Sequence, residues 1–106
     1  MSKERYKTKK VSQAYKIWNY MRRNKVFRGA EPIMIIDGLN RSLLLQFLQA
    51  LEKVGYLKKE KNAYRMEDQE YTLAENTGAK APRVNMKMRE VYDPNLNITI
   101  KWEEKE

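Results

Sequence analysis

The 106-residue chain is predicted to be an α+β domain, with three helices in its first half and β-structure in its second. Three observations predict this. Apolar residues recur at helical spacing from Ala14 to Met21 and from Leu44 to Val54. They alternate with polar residues from Val84 to Met88 and from Leu96 to Trp102. Gly, Pro and Asn punctuate the joins. The apolar fraction of 42% suffices for one core at this length.

Residues 1–10 show no apolar periodicity and read as a mobile arm, which the domain division takes as 1–11. Ser12 is expected to cap a helix over 12–24, with Ala14, Ile17, Trp18 and Met21 on one face and Lys16, Asn19, Arg22 and Arg23 on the other. Asn24 to Ala30 reads as a loop anchored by Val26 and Phe27. Glu31-Pro32 opens a short apolar helix over 31–37, because proline at the first helical position loses no useful donor; Asp37-Gly38 stops it. Asn40, or alternatively Ser42, caps the third helix over 41–54, where Leu44, Phe47, Leu48, Leu51 and Val54 form a stripe and Gly55 supplies the stop.

Tyr56 to Lys59 is then a plausible strand and Glu70 to Leu73 a second, with Tyr64-Arg65-Met66 as the alternative return strand of a tighter hairpin. Residues 12–75 form the main domain, 76–83 a linker, and 84–106 a C-terminal hairpin turning at Asp93-Pro94-Asn95.

Composition narrows the function. The chain has no Cys and no His, which removes most zinc sites, thiol chemistry, disulfides and His-based acid–base catalysis. No apolar run approaches the ~18 residues of a membrane span, and the basic start lacks the apolar stretch of a secretory signal, so a cytoplasmic protein is expected. Residues 1–30 hold ten Lys/Arg against one acid, a balance of +9, and residues 31–106 twelve against thirteen, or −1, so nearly all of the net +8 traces to the first thirty residues. That asymmetry suggests a polyanionic partner, nucleic acid first and an anionic membrane surface second; a solubilising tail is the bland alternative.

The segment from Leu39 to Leu57 resembles the recognition-helix region of winged helix–turn–helix DNA-binding proteins, with Leu48, Ala50-Leu51-Glu52 and Gly55-Tyr56-Leu57 at its end. The resemblance covers roughly residues 12–75 and implies a three-helix fold with a β-hairpin wing, the C-terminal hairpin being additional. Thr77-Gly78-Ala79-Lys80-Ala81-Pro82-Arg83 followed by Asp93-Pro94-Asn95 resembles a segment of small winged-helix proteins of prophages and related mobile elements, which implies a phage-related origin.

A helix that reads a major groove needs an apolar stripe toward its domain and a polar one outward. Arg41, Ser42, Gln46 and Gln49 supply the second and can bond base edges or phosphates. The arm (Lys3, Arg5, Lys7, Lys9, Lys10) and the wing (Lys58, Lys59, Lys61, Arg65) would hold the backbone, and Tyr6 and Tyr15 could stack on bases. Arg41 is the only cation between Gly29 and Lys53, so the helix itself is poor in charge. Leu43, Leu44 and Leu45 cannot all face one core at a 100° step, so Leu43 or Leu45 is expected at the surface as a protein contact.

Nothing points to catalysis. Glu67-Asp68-Gln69-Glu70 is the only acidic cluster and reads as a solvated loop, Asp93 reads as a turn residue, and the four glycines form no phosphate-cradling pattern. The expected function is duplex-DNA binding by a transcriptional regulator without cofactor. The alternative is a protein-interaction module or homodimer using Leu43, Leu45 and the C-terminal hairpin. A third possibility is an RNA-binding or phage-assembly role.

Overall fold

The computed structural model describes residues 2–61 and 63–103, with side chains described for 13–60 and 63–103. Three helices and two three-stranded antiparallel sheets follow the order α1 (Ser2–Asn24), β1 (Val26–Arg28), α2 (Glu31–Ile35), α3 (Arg41–Lys53), β2 (Leu57–Lys61), β3 (Glu70–Leu73), β4 (Arg83–Asn85), β5 (Glu90–Asp93) and β6 (Ile98–Lys101). One sheet runs β1-β3-β2 and the other β4-β5-β6. No helix among the described residues is long and apolar enough to cross a membrane.

The helix starts differ in one place from expectation. Ser12 does not cap α1, which runs on to Ser2, so the backbone of the expected arm is helical from its second residue. Lys, Arg and Glu are good helix formers, and extending an existing helix avoids the cost of nucleating one. At its other end α1 stops sharply. Lys25 adopts φ +66° and donates its N–H to the Met21 carbonyl at 2.8 Å, turning the chain straight into β1. Val26 and Phe27 are therefore strand rather than loop. Phe27 is buried facing Tyr71, while Val26 is exposed opposite Thr72.

The third helix matches its signals closely. Asn40, rather than Ser42, is the cap, accepting from the Leu43 N–H at 3.0 Å, and Gly55 (φ +90°) follows the helix end. Leu44, Phe47, Leu48 and Leu51 are buried against Ile17, Trp18 and Met21 of α1 and against Tyr56, Leu57 and Tyr71 of the sheet. The strand Glu70–Leu73 forms as expected, and Tyr64-Arg65-Met66 does not pair; a single turn of 3₁₀ helix, Met66–Asp68, occupies the return.

The C-terminal region is a three-stranded meander instead of a hairpin. The period-two pattern of Val84 to Met88 breaks after Asn85, whose side chain accepts from the Met88 N–H at 3.0 Å and so closes a local turn; Arg89 completes it at φ +54°. The sheet is no separate appendage either. Val91 and Trp102 join the same core as α1 and α3, and both β4 and β5 pack on α3.

A polar cluster locks this sheet in place. Asp93, expected as a turn residue, is fully buried at the end of β5. The Tyr56 hydroxyl donates to its Oδ2 at 2.6 Å and the Asn95 N–H to its Oδ1 at 2.9 Å. The Asn95 side chain in turn accepts from the Lys80 N–H at 3.0 Å and donates to the Lys80 carbonyl at 2.7 Å and to Thr77 Oγ1 at 3.2 Å. Trp18 Nε1 donates to the Gly78 carbonyl at 2.8 Å. Gly78 sits at φ +146°, and a Cβ there would approach Asn95 Cγ to 2.7 Å, so the linker needs glycine for both reasons. The two short motifs at 77–83 and 93–95 are thus the two halves of one clamp.

Burial raises the Asp93 carboxyl, but hydrogen bonds from Tyr56, Thr77 and Asn95 outweigh it and hold the acid below its ordinary value. Burial, then the bond to Asp93, pushes the Tyr56 hydroxyl up. A depressed native carboxyl stabilises the fold fully above about pH 4, and that contribution is lost as pH falls through the lower native value. Urea unfolding is expected to show lower stability for the parent below pH 4 and a flatter acid limb for Asp93→Asn. Tyr56→Phe, which leaves a buried acceptor short of a donor, is expected to cost about 2 kcal/mol at pH 7.

Candidate nucleic-acid interface

The outer stripe of α3 is built by its 3.6-residue repeat. Ser42 and Gln46 are exposed and Gln49 is half-buried, and Lys53, one turn beyond Gln49, extends the same exposed line. Lys53 was legible in the sequence as the i+4 step from Gln49. Arg41 is exposed at the first turn but forms an ion pair with Glu67 of the 3₁₀ turn. The guanidinium expected to read a base is therefore held by a carboxylate, and the acidic stretch 67–70 is not simply a solvated loop.

Neither Leu43 nor Leu45 is fully exposed. Both are half-buried, and Leu45 packs against the core. α1, β2, β4 and β5 all pack on α3, so its buried arc is wider than one stripe. The exposed apolar residues lie elsewhere, above all Met34 and Ile35 of α2, at 77% and 63% exposure.

α1 braces the turn ahead of α3. Gln13 Nε2 donates to the Gly38 carbonyl at 3.2 Å, and Gln13 Oε1 accepts from the Asn40 N–H at 3.0 Å. This glutamine, which no sequence pattern singles out, fixes the start of α3 within one helical turn of Lys10. Lys3, Arg5, Lys7, Lys9 and Lys10 occupy helical backbone positions; their side chains, like that of Tyr6, lie outside the described residues. Tyr15 is about half exposed. At the far end of the helix, Tyr20 donates to Glu31 Oε1 at 2.7 Å, its hydroxyl pushed up to about 12 by burial and by that bond.

The β2–β3 segment carries Lys58 and Lys59, both exposed, and Arg65, exposed beyond the strand; the Lys61 side chain lies outside the described ones. Its charge is balanced. Residues 57–70 hold four cations and four carboxylates, and Glu70 lies in register with Arg28 on one side and Lys61 on the other. The base of the segment is fixed to α2, the Gly29 and Ala30 N–H groups donating to the carbonyls of Gln69 and Glu67 at 3.0 Å each. Gly29 admits no side chain there, since a Cβ would collide with the Met66 carbonyl. Among the described residues, no three acidic side chains converge to hold a metal ion.

No family model matches the chain, and comparison with curated proteins and with solved structures finds no match.

Removing the brace tests its weight. Gln13→Ala is expected to lower stability by about 1 kcal/mol in urea unfolding. In amide hydrogen exchange, faster exchange should be confined to the Asn40 and Leu43 N–H groups and their neighbours.

Proposed function

We propose that the protein binds double-stranded DNA as a winged helix–turn–helix regulator, with α3 in the major groove and α1 supplying most of the phosphate contact. The observation that carries this reading is the pair of Gln13 hydrogen bonds, which join the cap of α3 to α1 directly beside its most basic stretch. The greatest concentration of positive charge in the sequence and the polar stripe of α3 thereby start from one end of the molecule. The helix–strand–helix–helix–strand–strand order and the β1-β3-β2 sheet also support it, since this arrangement sets a β-hairpin beside the third helix.

On this reading the basic positions form a rod rather than a loose arm. Positions 3, 7 and 10 continue, on the helical repeat, the stripe that Ala14, Ile17, Trp18 and Met21 line within the body. Ser42, Gln46, Gln49 and Lys53 face the groove, and Lys58, Lys59 and Arg65 approach the phosphates of the next turn. Arg41 joins the interface only by exchanging Glu67 for a base edge or a phosphate.

Fluorescence-anisotropy titration with random duplex DNA between about 50 and 200 mM salt tests the reading. A log–log slope of roughly −5 is expected for the whole chain, and a markedly shallower one without residues 1–10. Absence of binding at the lowest salt would overturn it. A protein-contact role would then take precedence, favoured by the exposure of Met34 and Ile35 on α2 rather than by Leu43 and Leu45.

Glu67→Gln, which releases Arg41 without removing it, is expected to tighten duplex binding about tenfold, as one charge-assisted contact warrants. An unchanged Kd would show that Arg41 takes no part.

A further inference from the structure

At the tip of the β2–β3 segment, Tyr64 stands fully in solvent, with 103% relative exposure. Its position is nevertheless held. The Ala63 N–H donates to Gln69 Oε1 at 3.2 Å, Gln69 is buried, and the 3₁₀ turn behind it is bonded to Gly29 and Ala30. A braced loop thus presents an aromatic ring that no other described side chain covers. Cations lie on both sides of it in the chain, Lys58, Lys59 and Lys61 before and Arg65 after. Glu67 is committed to Arg41, and Glu70 sits between Arg28 and Lys61; Glu60 and Asp68 remain exposed. With its charges in balance, the segment gains little from net attraction to phosphate, so the ring itself is the feature of the tip that distinguishes one nucleic acid from another.

We infer that Tyr64 is a base-stacking contact and that it selects nucleic acid with an unpaired base beside the duplex, as at a single-strand–duplex junction. The inference rests on the nucleic-acid reading above. A paired base inside a duplex offers no free face. The side chains that wedge between paired bases are apolar to their tips, whereas a phenol wedged there would bury its hydroxyl unpaired. An unpaired base, by contrast, stacks on an exposed ring whatever its identity.

The test compares a blunt duplex with a tailed duplex of equal phosphate number, using the full chain and its Tyr64→Ala, Tyr64→Phe and Tyr64→Trp variants in anisotropy titrations. The parent is expected to favour the tailed duplex by on the order of tenfold, the size of one base–aromatic stack. Tyr64→Ala should lose that preference while keeping the blunt-duplex affinity, and Tyr64→Phe should retain it. Trp18 and Trp102 are buried, so the new indole of Tyr64→Trp reports directly, and its emission should be quenched by the tailed duplex alone. A parent without tail preference, or a Tyr64→Ala variant that keeps it, overturns the stacking role and leaves duplex binding standing. No binding of either DNA at low salt overturns both.

Discussion

A single buried carboxylate organises the second half of the molecule. Among the described residues no cation is paired with Asp93, which is kept charged by hydrogen bonds from the hydroxyl of Tyr56, just after the end of α3, from Thr77 and from Asn95. A buried acid in this setting is tolerable only while its donors stay in place. The bond therefore specifies where β5 lies against α3, and Asn95 carries the constraint on to Thr77, Gly78 and Lys80.

Features that rest on local chemistry were legible in the sequence. The Asn40 cap, the apolar stripe of α3, the Gly55 stop and the strand Glu70–Leu73 all stand where their residues put them. Features that rest on distant partners were not. β1 is three residues long, too short for any period to show, and it exists because β3 pairs with it. The burial of Asp93 depends on a tyrosine 37 positions away, so Asp-Pro-Asn gave only a turn. In Val84–Met88 the alternation was real, but the short side chain of Asn85 bonded its own neighbourhood and ended the strand.

The candidate interface divides similarly. Ser42, Gln46 and Gln49 follow from the helical repeat, and Lys53 follows from the same rule carried one turn further. Gln13 does not, because its role lies in two backbone groups of another element. The cations of residues 57–70 looked like a basic patch when read alone; the register adds Glu70 between Arg28 and Lys61, and the ion pair adds Glu67. Electrostatic attraction in this protein is thus a property of α1, and the β2–β3 segment contributes shape and contact.

The Arg41–Glu67 pair has a thermodynamic corollary. Cations that meet a polyanion release the counterions condensed on its phosphates, and mixing entropy is what makes such binding yield to salt. Arg41 already has its anion in the chain. A phosphate or base edge that takes it displaces a covalently tethered carboxylate, whose effective concentration is unaffected by the ionic strength outside. A phosphate taken in this way still gives up its condensed counterion, whereas a base edge has none to give, so Arg41 reading a base would discriminate between partners by geometry and add nothing to the salt slope.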